Sequence, residues 1–269
     1  MTTPESAILD VLARAIGLPP LATAVAHPCD EPSLAAVLAA RDRGLVAPIL
    51  VGPEGKIRSL AAAAGLDLAG IPIRDVPHSH ASAARAVELV RRAEVGAIMK
   101  GSLHTDELLG EVVRTDTGLR TARRISHVFV MQVPGLERLL LVTDAAVNID
   151  PGLEEKADIV QNAIDLALAL GVSQPRVAIL SAVETVTSKL RSTIDAAALC
   201  KMADRGQITG GLLDGPLAFD NAVSPEAARV KGIASEVAGR ADILVAPDLE
   251  SGNILAKQLE YFSGATAGG

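Results

Sequence analysis

Short apolar segments alternate with segments of helical period along almost all of the 269 residues. Val46–Val51 precedes a helical segment at 54–64, and Val177–Leu180 precedes another at Thr193–Arg205. Such alternation predicts mostly parallel sheets with helices on both faces. An apolar share of 49%, with three Phe, one Tyr and no Trp, suits aliphatic strands under Ala-rich helices. The predicted fold class is therefore α/β.

Two adjacent predicted strands interrupt this alternation of strands and helices. Val128–Val133 and Leu139–Thr143 are joined only by a turn at Pro134-Gly135, with no helix between them. This pattern predicts a hairpin-like excursion or the passage from one lobe to another. We therefore predict a first lobe over residues 1–135 and a second over 136–269. A helix over Ala227–Ala238 and a flexible tail over Ser263–Gly269 are also predicted in the second lobe.

Charge and composition argue against several classes of function. A formal net charge of −7 and few aromatic residues argue against a nucleic-acid partner. No signal peptide or membrane span is expected, and two cysteines do not make a disulfide framework. The default expectation is a cytoplasmic protein, and because no linker is seen at the start of the sequence, a standalone one is expected. His78 and His80 lack acidic or Cys companions, so no metal site is expected.

In parallel α/β sheets ligands bind beyond the carboxyl ends of the strands, so the residues there are the candidates for a site. A strand over Gly96–Met99 is followed by Lys100-Gly101-Ser102-Leu103-His104-Thr105 and then a helix. Hydroxyls, a lysine and helix N-terminal amides could bind phosphate, although an ordinary capped turn would look the same. Arginine forks match phosphate oxygens, and Arg120, Arg123 and Arg124 form a cluster that could equally be a solvated loop.

Polar residues follow the later strands in the same way. They include Asp144, Asn148, Asp220, Asn221 and Asn253. Each is also a residue type that turns commonly use, so none is specific alone. Because several strand ends carry such side chains, they indicate a single ligand-binding cleft.

Long segments resemble the phosphate acetyltransferase and phosphate butyryltransferase family, with phosphate acetyltransferases the more similar. They include MKGSLHTDELL at 99–109, LLVTDAAVNIDP at 140–151 and ADILVAPDLESGNILAKQLEYFSGA at 241–265. The resemblance implies two doubly wound α/β/α lobes with an interlobe cleft, similar to isocitrate and isopropylmalate dehydrogenases. It also implies a homodimer that uses CoA as a substrate, with no other cofactor and no metal.

The reaction implied by the resemblance interconverts acetyl-CoA plus phosphate with acetyl phosphate plus CoA. CoA thiolate attacks the acyl phosphate directly in a ternary complex, and cationic groups hold the phosphate. Carried onto this chain, the catalytic residues would be Ser102, His104 and Asp144. The substrate-binding residues would be Lys100, Thr105, Arg120, Arg123, Arg124, Asn148, Asp220, Asn221 and Asn253.

In the family, a segment beyond the position of Gly269 returns to the first lobe. It carries a Ser-Arg pair with an Asp nearby, and this sequence does not contain it. The first lobe's sheet is therefore expected to have an exposed edge. Three alternatives remain open: a butyryl-specific enzyme, a non-catalytic member that binds CoA or acyl phosphate, and a dehydrogenase of similar fold.

Overall fold

The computed structural model describes residues 6–269, and contacts divide them into two units. Leu12–Ala122 is the N-terminal unit, and Arg123–Gly269, with the described residues up to Val11, is the C-terminal unit. The helices are α1 Ser6–Ala15, α2 Glu31–Asp42, α3 Glu54–Ala63, α4 Ser79–Arg91, α5 Thr105–Val112, α6 Leu153–Ala169, α7 Arg191–Asp204, α8 Phe219–Val223, α9 Pro225–Val230 and α10 Leu249–Ser263. The strands are β1 Leu21–Ala26, β2 Val46–Gly52, β3 Ile73–Asp75, β4 Ala97–Lys100, β5 Phe129–Gln132, β6 Leu140–Thr143, β7 Arg176–Leu180, β8 Leu212–Leu217, β9 Ile243–Val245 and β10 Thr266–Gly268.

The N-terminal unit is built on a four-stranded parallel sheet in the order β3-β2-β1-β4. One face packs against α2 and α3 through residues such as Leu34 and Ile57. The other face packs against α4 and α5 through residues such as Leu89 and Leu108. Each buried aliphatic side chain contributes roughly 1.5–3 kcal/mol, so both helix layers are needed to cover the sheet.

The C-terminal unit has a six-stranded sheet in the order β10-β5-β6-β9-β7-β8. Strands β6, β9, β7 and β8 run parallel, whereas β5 is antiparallel to both of its neighbours. Helices α6 and α7 cover one face through Ile164 and Leu199, and α10 covers the other through Ala256 and Leu259. The predicted α/β class with doubly wound sheets is confirmed.

The division between the units falls earlier than the predicted boundary after residue 135. Residues 123–135 belong to the C-terminal unit because β5 pairs antiparallel with β6, from Phe129–Val142 to Met131–Leu140. The predicted hairpin is therefore present. The tail predicted to be flexible instead contains β10, which pairs with β5 from Thr266–Gln132 to Gly268–Val130.

The helix predicted over Ala227–Ala238 is wrong beyond its first turn. Helix α9 ends at Val230, and Lys231 is its C-cap. Gly232 follows with φ +67°, and the N–H of Ile233 donates to the carbonyl of Ala228. Glycine in the left-handed region is a common way to end a helix, and here it outweighs the helical propensity of the next residues. Within residues 6–269, no helix is both long enough and apolar enough to cross a bilayer.

Candidate functional site

The carboxyl ends of β1 and β4 meet at the topological switch point of the N-terminal sheet. The chain leaves β1 towards β2 on one side and later returns on the other side as β4. Ligands in open α/β sheets bind at such a point. Ser102 lies here, but its hydroxyl is committed to the backbone. It donates to the carbonyl of His27 at 2.9 Å and accepts from the N–H of Cys29 at 3.2 Å.

Gly101 allows the end of β4 to lie close to the end of β1. A Cβ at this position would lie 2.6 Å from the carbonyl oxygens of Ala26 and His27. Only glycine fits, because any side chain would strike backbone atoms. The atoms that come close to Gly101 are therefore those at the end of β1.

The other predicted residues of this loop lie on the surface. Lys100, His104 and Thr105 are exposed, and the amine of Lys100 donates to the carbonyl of Gly101 at 3.2 Å. His104 is the N-cap of α5 but makes no side-chain capping bond. An ammonium group, an imidazole and a hydroxyl are therefore close in sequence at one helix terminus. Together they could hold the oxygens of a phosphate electrostatically.

His27 is a candidate that sequence reasoning missed. It directly follows β1, is half-buried and adopts φ +54°, a left-handed conformation that is uncommon outside glycine. Its Nδ1 lies 3.2 Å from the hydroxyl of the fully buried Ser82. Burial and then the charge of Lys56 lower the pKa of His27, while Glu107 acts in the opposite direction. Its place after a strand, before a proline, was the available signal.

The three predicted arginines fall into different units. Arg120 belongs to the N-terminal unit, where its Nη1 donates to Thr115 at 3.4 Å. Arg123 is held by Asp165 at 2.5 Å in the C-terminal unit. Arg124 is bound by three side chains. Its guanidinium donates from Nε to Asn148 at 2.5 Å and lies 2.6 Å from Glu155 through Nη1. Its backbone N–H donates to the carboxylate of Asp158 at 2.9 Å. Two of the three guanidinium groups thus have carboxylate partners within the protein.

Asp144 organises the loop that follows β6. Its carboxylate, 3% exposed, accepts from the backbone N–H groups of Ala146, Val147 and Asn148 at 2.9–3.2 Å. The side-chain amide of Asn148 adds a fourth bond at 2.6 Å and also donates to the carbonyl of Ile125 at 3.0 Å. Both oxygens of this carboxylate are thus engaged by donors of the loop itself.

The remaining predicted residues divide into two groups. Asn253, on α10, donates to the carbonyl of Ala145 at 3.0 Å and so joins the loop of Asp144. Asn221 is fully buried, donates to Glu184 and leaves its own Oδ1 without a hydrogen bond, while Asp220 is exposed. The structure therefore brings Asp144, Asn148 and Asn253 together, and Asp220 and Asn221 lie outside that network.

A cavity of about 550 Å³ opens at the carboxyl ends of β7 and β9 in the C-terminal unit. Helix α10 forms one wall with Leu255, Leu259 and Phe262, and Phe219 at the start of α8 forms another. The polar side chains of the lining are three hydroxyls and an amide: Ser181, Ser251, Ser263 and Gln258. Its size and largely apolar lining are typical of sites for small molecules or cofactors.

Within residues 6–269, no three His, Cys, Asp or Glu side chains converge to hold a metal ion. Cys200 is a poor nucleophile, because burial, followed by the charges of Asp214 and Asp204, raises the pKa of its thiol to about 12. Among the described residues, the groups at strand ends that could bind a substrate or transfer a proton are cationic groups, hydroxyls and imidazoles.

Comparison with known proteins gives one consistent family. Residues 77–269 match the family model described as "Phosphate acetyl/butaryl transferase". A phosphate acetyltransferase of Rhizobium meliloti is 63% identical over 259 residues, covering 96% of this chain and 82% of that protein. A phosphate butyryltransferase of Clostridium acetobutylicum is 45% identical over 91% of this chain and 82% of its own length.

Solved structures agree in fold. A branched-chain phosphotransacylase from Enterococcus faecalis V583 is similar with a TM-score of 0.78 at 28% identity, covering 92% of this chain and 87% of that one. A phosphotransacetylase from Streptococcus pyogenes has a TM-score of 0.82 at 22% identity, covering 99% and 88%, a similarity that concerns the fold alone.

Proposed function

Because the chain belongs to the phosphate acetyltransferase and butyryltransferase family, we propose that it interconverts acetyl-CoA plus phosphate with acetyl phosphate plus CoA. The observation that carries this proposal is the 63% identity to a phosphate acetyltransferase across 96% of the chain. The C-terminal unit adds a cavity at the carboxyl ends of its parallel strands.

The chemical step is a direct acyl transfer. A thiolate of CoA attacks the carbonyl carbon of acetyl phosphate, a carbon–sulfur bond forms, and phosphate leaves with the electron pair of the broken carbon–oxygen bond. Positively charged groups accelerate this step by holding the phosphate where its charge grows. We assign that role to the exposed Lys100 and Arg120, with Ser102, His104 and Thr105 beside them in sequence. CoA is consumed as a substrate, and the step uses no metal and no further cofactor.

We assign the apolar part of the acyl-CoA to the cavity of the C-terminal unit. The thiol arm of CoA carries methylenes and amides, which match a lining of Leu255, Leu259 and Phe262 interrupted by Ser181 and Gln258. The nearby loop organised by Asp144, with Asn148 and Asn253, acts as a scaffold in this proposal.

The acyl preference is tested by direct comparison of substrates. Acetyl-CoA and butyryl-CoA are offered separately with phosphate, and kcat/KM is measured for each. Each methylene in an apolar pocket is worth about 1–3 kcal/mol, so the preferred acyl group should stand out at least tenfold. Preference for acetyl-CoA supports the proposal. Preference for butyryl-CoA would favour the second candidate, which rests on the 45% identity to a butyryltransferase.

We also propose that the protein works in the cytoplasm as a homodimer. Ile254 and Tyr261 on α10 are 65% and 79% exposed, which offers apolar area for a second copy. Light scattering after size exclusion measures the mass in solution. A mass of two chains supports the dimer, and a mass of one chain at micromolar concentration contradicts it.

A further inference from the structure

Aromatic side chains are scarce in this protein, yet two of them line one cavity. The chain has three Phe, one Tyr and no Trp. Phe219 and Phe262 both belong to the lining of the cavity in the C-terminal unit. They come from different elements, since Phe219 begins α8 and Phe262 lies in the last turn of α10. The methylenes and amides of the CoA arm give no reason for this concentration of rings.

Both phenylalanines lie at the mouth of the cavity. Phe219 and Phe262 are 41% and 89% exposed, whereas Leu180, Ala246 and Leu259 of the same lining are buried. The buried residues form the floor, which remains available for the thiol arm of CoA. An uncovered aromatic ring keeps a large apolar surface in water, and a flat ligand that stacks on it removes that surface from solvent. The mouth therefore suits a ring, and the floor suits an aliphatic chain.

The polar groups of the lining differ in whether the protein already uses them. The hydroxyl of Ser181 is hydrogen-bonded to that of Ser192 at 2.9 Å, and the hydroxyl of Ser251 donates to the carboxylate of Asp248 at 2.8 Å. Gln258 is exposed, and its amide forms no hydrogen bond among the described residues. One acceptor and two N–H donors are thus available to a ligand at this position.

The spacing along α10 places this amide beside one of the rings. Gln258 and Phe262 are four residues apart, so their side chains lie on the same face of the helix with Cβ atoms about 5–6 Å apart. A ring stacked on Phe262 has its edge within reach of the Gln258 amide. None of the described residues that line the cavity is charged, which favours a neutral ring and leaves phosphate groups outside.

We propose that the mouth of this cavity binds an adenine ring, stacked on Phe262 and Phe219 and hydrogen-bonded along its edge by the amide of Gln258. Glutamine pairs bidentately with adenine through the exocyclic amino group and a ring nitrogen, and aromatic side chains stack on the face of the base. A plain phenyl ring would leave the amide unused. The adenine belongs to CoA or to a free adenine nucleotide, and the first case rests on the proposed acyl transfer.

Titration calorimetry of the full chain with AMP tests the site without any turnover. AMP carries the base but no thiol arm, and ribose 5-phosphate carries neither. We expect AMP to bind, ribose 5-phosphate not to bind, and Phe262→Ala and Gln258→Met each to weaken AMP about tenfold or more. Both positions are exposed, so the substitutions leave the core intact.

Tyr261→Ala is the matched control for F262A. Tyr261 is 79% exposed on the same helix and lies outside the cavity lining, so Y261A should keep the affinity for AMP within about twofold. Failure of AMP to bind at millimolar concentration overturns the proposal. Binding of ribose 5-phosphate as tight as that of AMP, or equal losses in Y261A and F262A, also overturns it.

Kinetics with pantetheine, which has the thiol arm of CoA without the nucleotide, identify the source of the ring. If CoA supplies it, F262A raises KM for CoA about tenfold, leaves KM for pantetheine unchanged, and AMP competes with CoA. If a free nucleotide supplies it, F262A loses AMP binding but keeps KM for CoA. Absence of wild-type turnover with AMP binding intact contradicts the acyl transfer and leaves the adenine site standing.

Discussion

The side-chain amide of Asn148 donates to Oδ2 of Asp144 at 2.6 Å, in a loop where the same carboxylate also accepts three backbone N–H groups. Gly252 on α10 lies against this loop so closely that a Cβ there would be 2.3 Å from the carbonyl of Asp144. The loop after β6 is thus locked by side-chain hydrogen bonds from within and by backbone contact from α10. A charged residue at a strand end acts here as scaffold.

Replacing Asp144 by Asn should lower the free energy of unfolding by about 2 kcal/mol, because buried N–H donors lose a charged acceptor. Urea denaturation measures the change. The exposed Asp220→Asn is the matched control and should stay within about 0.5 kcal/mol. Folded D144N should keep kcat within about threefold of wild type. A much larger loss of kcat in folded D144N would show that Asp144 takes part in the chemical step.

Arg120 and Arg123 should behave differently when truncated. Arg120 makes a hydrogen bond at 3.4 Å, near the limit for such bonds, whereas Arg123 is paired with Asp165 at 2.5 Å. Charge-assisted hydrogen bonds contribute about 1.5–3 kcal/mol, so Arg120→Ala should raise KM for phosphate at least tenfold. Arg123→Ala should change it less than about threefold, because the Arg123 guanidinium is already paired with the carboxylate of Asp165. Losing this exposed ion pair should also cost little stability. Equal effects of the two substitutions would contradict the assignment.

Filling the cavity of the C-terminal unit should weaken acyl-CoA binding. Ala182 is an exposed lining residue, so a larger side chain there occupies the opening without disturbing the core. Ala182→Phe should raise KM for acetyl-CoA about tenfold, equivalent to about 1.4 kcal/mol. Ala169→Phe, at the exposed end of α6, is the control and should leave KM unchanged. An unchanged KM in A182F would remove the cavity from the binding site.

The buried ion pair of the C-terminal unit should be important for stability. Lys156 and Asp195 are 4% and 7% exposed, and the amine lies 2.7 Å from the carboxylate. Lys156→Met should destabilise the protein by about 3–5 kcal/mol, since it leaves the buried Asp195 with only the longer contact to the exposed Arg191 at 3.6 Å. Lys201→Met removes a pair of similar geometry that is largely exposed and should cost under about 1 kcal/mol. Thermal and urea unfolding distinguish the two.

Much of the fold could be predicted from the periodicity of the sequence, because apolar strands and amphipathic helices are recognised from neighbouring residues alone. The end of α9 could not be predicted in this way, because it depends on the left-handed glycine at 232. Strand β10 could not be predicted either, because it forms by pairing with β5. At the site, the sequence indicated that five residues would line one cleft: Asp144, Asn148, Asp220, Asn221 and Asn253. The structure brings Asp144, Asn148 and Asn253 together, whereas Asp220 and Asn221 lie outside that network. It could not show that hydrogen bonds consume the Asp144 carboxylate, nor that Ser82 orients His27, because those contacts join residues distant in sequence or depend on rotamers.

The most direct test of the acyltransferase assignment is thioester formation from CoA and acetyl phosphate by this 269-residue chain. The account predicts that acetyl-CoA accumulates in proportion to enzyme, that phosphate appears in equal amount, and that adding acetyl-CoA with phosphate runs the reaction backwards. Absence of acetyl-CoA formation by a folded chain at saturating CoA and acetyl phosphate would contradict it.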